Sequence, residues 1–174
     1  MSYSREGPSQ LFSLKRLRGV AILRPTFRRV HRLMRAESHS GLAAVLLASI
    51  QWAGRASVEP KREQAFLLFA IALETLILPE SDSQELTYRL RVRVAHLLGK
   101  DRSRRAELSS TIRDLYKIRS KIVHSGSYQV TDETLGQLRS IVKRAILRVL
   151  LHRTIRQFQT ANDLASWFEA RVLH

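Results

Sequence analysis

The segment Leu108-Ser-Ser-Thr-Ile112-Arg-Asp-Leu115-Tyr116-Lys117-Ile118-Arg119-Ser120-Lys121-Ile122-Val123-His124-Ser125-Gly126 decides how the chain is read. Leu108, Ile112, Leu115 and Ile122 step by four, three and seven residues, the inward stripe of an amphipathic helix. At about 100° per residue, Arg119 falls within roughly 20° of Leu108 and Ile112 and about 40° of Leu115. A guanidinium is therefore aimed along a face that the spacing predicts to be buried. Tyr116, Ser120 and His124 form a second row at i, i+4 and i+8 that flanks Arg119 on one side, and Ser125-Gly126 ends the helix, so the arginine, tyrosine, serine and histidine are expected to share one sector.

Working outward, every other long segment has the same helical character. Residues 41–58 form a helix that Ser40 can cap, with Leu42, Val45, Leu46, Ile50 and Trp52 suited to burial. Glu59-Pro60 is expected to start the next helix, over residues 61–78, because proline is tolerated in a first turn. That helix is apolar nearly all round, so it is expected at the centre of the fold. Glu74 is its only charge after Glu63. A carboxylate there must be paired, protonated or turned outward, since burying it unpaired costs several kcal/mol or more. Ser81 and Gln84 fit a capping box for a helix running to Leu98 and stopped by Gly99. Thr131-Asp132-Glu133 is an acidic helix start, and the helix is expected to run to about Phe158, followed by a short one from about 162 to 172. No period-2 strand of useful length is present, so the fold class is all-α.

A buried arginine needs a carboxylate, and the central helix supplies Glu74 as its candidate partner. The pair either serves only to join two helices or holds the guanidinium for work.

Composition narrows the partners. The chain has 174 residues, enough for one domain with a real core. Thirty Lys and Arg against fifteen Asp and Glu leave a net charge of +15. That excess predicts a polyanion, nucleic acid first and an anionic membrane surface second. Zero cysteines exclude disulfides and cysteine-zinc sites and fit a reducing cytoplasm. The longest charge-free run, residues 38–54, carries Ser, His and Gln and is shorter than the ~20 apolar residues of a membrane span. No metal site or cofactor loop is expected.

Arg119, four intervening residues and His124, at the end of a helix in an all-helical chain, resemble the R-x4-H signature of the HEPN superfamily. The longer string from Tyr116 through Gly126, after a helix holding Ala72-Leu73-Glu74, is similar to its Apea-like branch, over residues from about 50 to 158. The resemblance implies a compact HEPN-like bundle over residues 41–174, preceded by a basic tail and helical extension over 1–40. It implies a metal-independent endoribonuclease of toxin or antiviral defence, a homodimer apposing two motifs, and a possible antitoxin or activator protein. Arg119 would stabilise charge on the phosphate in flight, and His124 would move a proton at the 2′-hydroxyl or the leaving 5′-oxygen. Glu74, Tyr116 and Ser120 would support them, Ser120 being spaced to orient His124. Some relatives carry a modifiable tyrosine two residues after the histidine; here that position is Gly126, and the nearest tyrosine is Tyr128.

Two basic stretches remain. Arg144, Arg148, His152 and Arg156 are spaced as an i+4 ladder and, with Lys143, form either a phosphate track for RNA or a solvated face. Residues 11–35 interleave apolar side chains with eight cations around Pro25, giving either an arm for nucleic acid or membrane, or a packed helical pair. Three readings follow: a ribonuclease, a non-catalytic helical module that dimerises or binds RNA, and a basic membrane-surface adaptor.

Overall fold

The computed structural model describes residues 27, 28, 30, 31, 40–79, 85–125 and 129–172. Residues 27, 28, 30 and 31 are helical, and the others form six α-helices and one short 3₁₀ turn, with no strand among the described residues: α1 Gly41–Val58, α2 Arg62–Ile77, α3 Leu86–Leu98, α4 Arg102–Ser125, α5 Asp132–Leu151, the turn Ile155–Gln157, and α6 Ala161–Val172. The capping box at Ser81, the residues Gly126 and Tyr128, and nearly all of the basic extension lie outside the described residues. Of that extension, Phe27 is exposed while Val30 packs against the core.

α2 is central, as its composition predicts. Phe66, Ala70, Ala72, Leu73, Leu76 and Ile77 are completely buried, and the helix packs against α1, α3, α4 and α5. α1 lies along it, with the buried Ser49 hydroxyl donating to the Ala72 carbonyl at 2.7 Å. Among the described helices α1 alone reaches the length and mean hydropathy, 1.2, of a marginal membrane span. Leu42, Leu46, Leu47, Ser49 and Ala56 are buried, and of these Leu42, Leu46 and Ala56 belong to the common core.

Three boundaries differ from expectation. Ser40 occupies the N-cap in extended conformation but its side chain makes no capping bond. The next residue, Gly41, has φ +58° and brings the chain so close to Gln159 that a Cβ would stand 2.2 Å from its carbonyl oxygen. The Leu42 N–H donates to that same oxygen at 3.1 Å, so a backbone carbonyl from the far end of the chain does what the serine was expected to do. Pro60 precedes the helix rather than opening its first turn. Lys61 is the extended N-cap, its N–H held by the Glu59 carboxylate at 3.0 Å.

The third difference matters most. α5 stops at Leu151, not near Phe158, because His152 turns extended and its Nδ1 accepts the N–H groups of Thr154 and Ile155 at 3.3 and 3.4 Å. An imidazole thus caps the 3₁₀ turn that folds Ile155 completely into the core. Asp163 then caps α6, accepting from Gln159 and Thr160 at 2.9 and 2.8 Å, while the Thr160 hydroxyl accepts from the Asp163 N–H.

A double clamp joins the starts of α2 and α5. Arg62 grips Asp132 bidentately, Nε to Oδ1 and Nη2 to Oδ2, both at 2.8 Å. Beside it the Glu63 carboxylate accepts the Val130 N–H at 3.2 Å. The segment after α4 is thereby fixed at its far end to the central helix.

Candidate functional site

α4 carries the site, and its apolar stripe is as the sequence predicts: Leu108, Ile112, Leu115 and Ile122 are all buried. Arg119 lies on that side of the helix against α2. Its Nε stands 3.4 Å from Oε1 of Glu74, the arginine side chain being 34% exposed and the glutamate 18%. The partnership is an ion pair rather than a formed hydrogen bond, since the buried Oε1 has no hydrogen-bond partner. No hydrogen bond within the described protein ties up the terminal nitrogens of Arg119. The guanidinium is thus anchored on its inner edge and open on its outer one.

Tyr116 completes this inner cluster. It is buried, and its hydroxyl donates to the Ala70 carbonyl at 3.4 Å. Burial, reinforced by the negative charge of Glu74, pushes the phenol well above its ordinary range, with Arg119 opposing. The phenol therefore remains a neutral donor through the physiological range.

Ser120 and His124 lie elsewhere. Four residues advance a helix by about 400°, so the row from Tyr116 through Ser120 to His124 rotates by about 40° at each step. It begins buried at Tyr116 and is exposed by Ser120 and His124. No hydrogen bond joins Ser120 to His124. His124 stands in the last turn of α4, about 7.5 Å along the axis from Arg119 and about 140° around it. The single sector expected for these residues is therefore not formed: within one chain the arginine looks out from the α2 seam and the imidazole into solvent, because five residues turn a helix by about 140°.

The cationic residues of α5 divide as well. Arg144 and Arg148 stay in register on α5, but the end of the helix at Leu151 takes His152 into the cap and Arg156 into the 3₁₀ turn. The four do not form one continuous ridge. Lys143 is exposed on another side of the helix, about 100° from Arg144. Several other cations cover aromatic rings: Arg139 lies 5.5 Å from the Phe69 centroid and Arg171 4.3 Å from that of Trp167.

One arginine escapes sequence reasoning. Arg93 on α3 is buried, with Nη1 donating to the Ile77 carbonyl at 3.1 Å, its guanidinium 5.4 Å from the Phe168 ring and Nη2 at 3.9 Å from Glu169. It closes the C-terminal end of α2. Its place in the stripe Leu90, Arg93, Val94, Leu97 is the signal that could have found it, the same inward cation that marks Arg119.

No family model, curated protein or solved structure matches the chain.

Proposed function

We propose that this chain is a metal-independent endoribonuclease working as a homodimer, with Arg119 and His124 of each copy lining a shared cleft. The observation that carries the reading is the guanidinium of Arg119, secured at Nε by Glu74 and open at its terminal nitrogens, about one and a half turns before an exposed imidazole. Chemically, one imidazole removes the proton of an RNA 2′-hydroxyl. The freed oxygen attacks the adjacent phosphorus, the bond to the 5′-oxygen breaks, and a second imidazole protonates that leaving oxygen. The products are a 2′,3′-cyclic phosphate and a 5′-hydroxyl. Arg119 neutralises the extra charge on the five-coordinate phosphate.

The splay of about 140° between the two side chains is the reason to invoke a second copy. A facing α4 can bring its own imidazole and guanidinium into the gap that one helix leaves open. Deployment as a toxin or defence nuclease, with a partner protein restraining or activating it, follows from the motif resemblance and belongs to the same proposal.

The test is incubation of the purified chain with mixed RNA in EDTA, alongside His124→Ala and Arg119→Ala. Fragments ending in cyclic phosphate, reduced about a hundredfold or more in either variant, support the reading. If the shared cleft is real, adding excess His124→Ala chain to the wild type lowers activity by more than simple dilution, because a mixed dimer holds a single imidazole. Equal RNA survival with wild type and variants gives precedence to a second reading, a non-catalytic RNA-binding helical module. In favour of that second reading, Tyr116, Glu74 and Arg119 already join α4 to α2.

A further inference from the structure

A groove of about 420 Å³ lies at the opposite end of α4, where the α3–α4 corner meets the C-terminal half of α5. Its floor includes Leu97, Leu147 and Leu151, and Lys100, Arg144 and Arg148 stand around it. None of these three cations forms an ion pair within the described protein. The acid nearest in sequence, Asp101, is engaged in capping α4, accepting the Arg104 N–H at 2.8 Å. Sequence gives the same picture, with no acidic residue between Glu133 and Asp163. More positive charge stands close by: Arg148 and Arg171 both act on His152, which burial already holds below its ordinary range. Three cations with no carboxylate partner around an apolar slot concentrate positive potential there and favour an anionic ligand.

We infer that this groove is an anchoring site for single-stranded RNA, in which Lys100, Arg144 and Arg148 hold backbone phosphate and the leucine floor receives the face of an unstacked base. The inference rests on RNA being the partner of the proposed nuclease and adds where the strand is held away from the point of cleavage. A strand suits the slot better than a duplex, because a base must leave its stack to reach an apolar floor and only a single strand permits that cheaply. The groove adjoins the first turn of α4 and His124 occupies the last. At 1.5 Å per residue the separation is roughly 30 Å. A bound strand of about 20 nucleotides, at ~3.4 Å per stacked nucleotide, covers that span with length to spare.

The test measures binding of a fluorescent single-stranded RNA of about 20 nucleotides to the full chain carrying His124→Ala, which prevents cleavage during the measurement. Adding Arg144→Ala and Arg148→Ala should weaken binding about tenfold at physiological salt and lower the slope of log K against log salt by about 1.4, the value for two lost phosphate contacts on a single strand. Lys100→Ala, at an exposed position, should give about half that change in slope without disturbing the fold. A charge-matched control, Arg104→Ala with Arg113→Ala, removes two exposed cations that already face carboxylates. If the control loses as much as the groove variants, binding is diffuse and the inference is overturned. It is also overturned if the groove variants lose affinity for anionic vesicles but keep it for RNA. Groove-dependent binding by a chain that never cleaves RNA would retain the anchor while ending the nuclease proposal. Cleavage that survives intact when the groove is emptied would do the reverse.

Discussion

Glu74 and Arg119 are unequal partners. The glutamate is the more buried, and its Oε1 has no other group to turn to, whereas the arginine can swing its outer edge into water. Arg119→Ala strands a carboxylate against the buried Tyr116, and Glu74→Gln strands only a cation with access to solvent. The first should therefore cost about 2 kcal/mol of unfolding free energy and the second less than about 1 kcal/mol, with Glu74→Gln restoring most of the loss when added to Arg119→Ala. Denaturant titration of the three variants decides this. In the nuclease assay Glu74→Gln should stay folded yet cleave about tenfold more slowly, because Arg119 loses its anchor. At this scale the sequence was informative where spacing set the answer. It put Arg119 beside a seam and pointed to Glu74, since an inward guanidinium requires a carboxylate and one was offered. The row from Tyr116 to His124 was harder to read, because the 40° drift at each fourfold step takes its last members out of the core. Arg93 passed unremarked although the same rule applies to it.

Among the elements, α1 shows best how a boundary can be legible and its cause not. Residues 41–58 were readable as a helix from their apolar pattern, and Ser40 looked like the cap. What starts the helix is the carbonyl of Gln159, approached so closely that only a residue without Cβ fits at position 41. Such a contact between distant parts of the chain leaves no local trace beyond the glycine itself. Gly41→Ala combines a left-handed backbone with an atomic overlap, so it should lower the melting temperature by roughly 5 °C or more, corresponding to about 1–2 kcal/mol for the backbone alone. Gly54→Ala, where a Cβ meets nothing within 4 Å, should raise stability slightly. Thermal melts of both variants separate the local claim from a general effect of glycine replacement. The end of α5 is the complementary case. Nothing in its periodicity stops the helix at Leu151; the stop comes from an imidazole that captures two N–H groups and from a core that has room for Ile155.

For the whole molecule, the shifted carboxylates and histidines lean the same way, all of them lowered. Asp163 is held below the usual carboxylate range by the Thr160 and Gln159 N–H groups. Glu63 is lowered by its own backbone N–H and that of Val130, and Asp114 by Lys117 and then Arg113. Burial, assisted by Arg105 and Arg171, lowers His96, as burial, Arg148 and Arg171 lower His152. A lowered value means that the unfolded chain takes up protons before the folded one, so stability must fall with pH in each case. The histidine contribution is complete above about 6.5 and is lost below it; the carboxylate contribution is complete above about 4.5 and is lost in stronger acid. The melting temperature should thus decline in two stages on acidification, and His96→Asn should flatten the first. A melting curve that rises between pH 7 and 5 would contradict the assignment.

The meeting of Gly41 with Gln159 also fixes an order of events on the ribosome. α1 is translated well before Gln159, yet the oxygen that completes its first turn is supplied from that residue. Closure of α1 onto that carbonyl must wait until the chain has been made past residue 159. Until then the greasy flank of that helix has the second helix for cover but lacks its final latch, and a stalled or shortened product would present it to whatever chaperone is nearby.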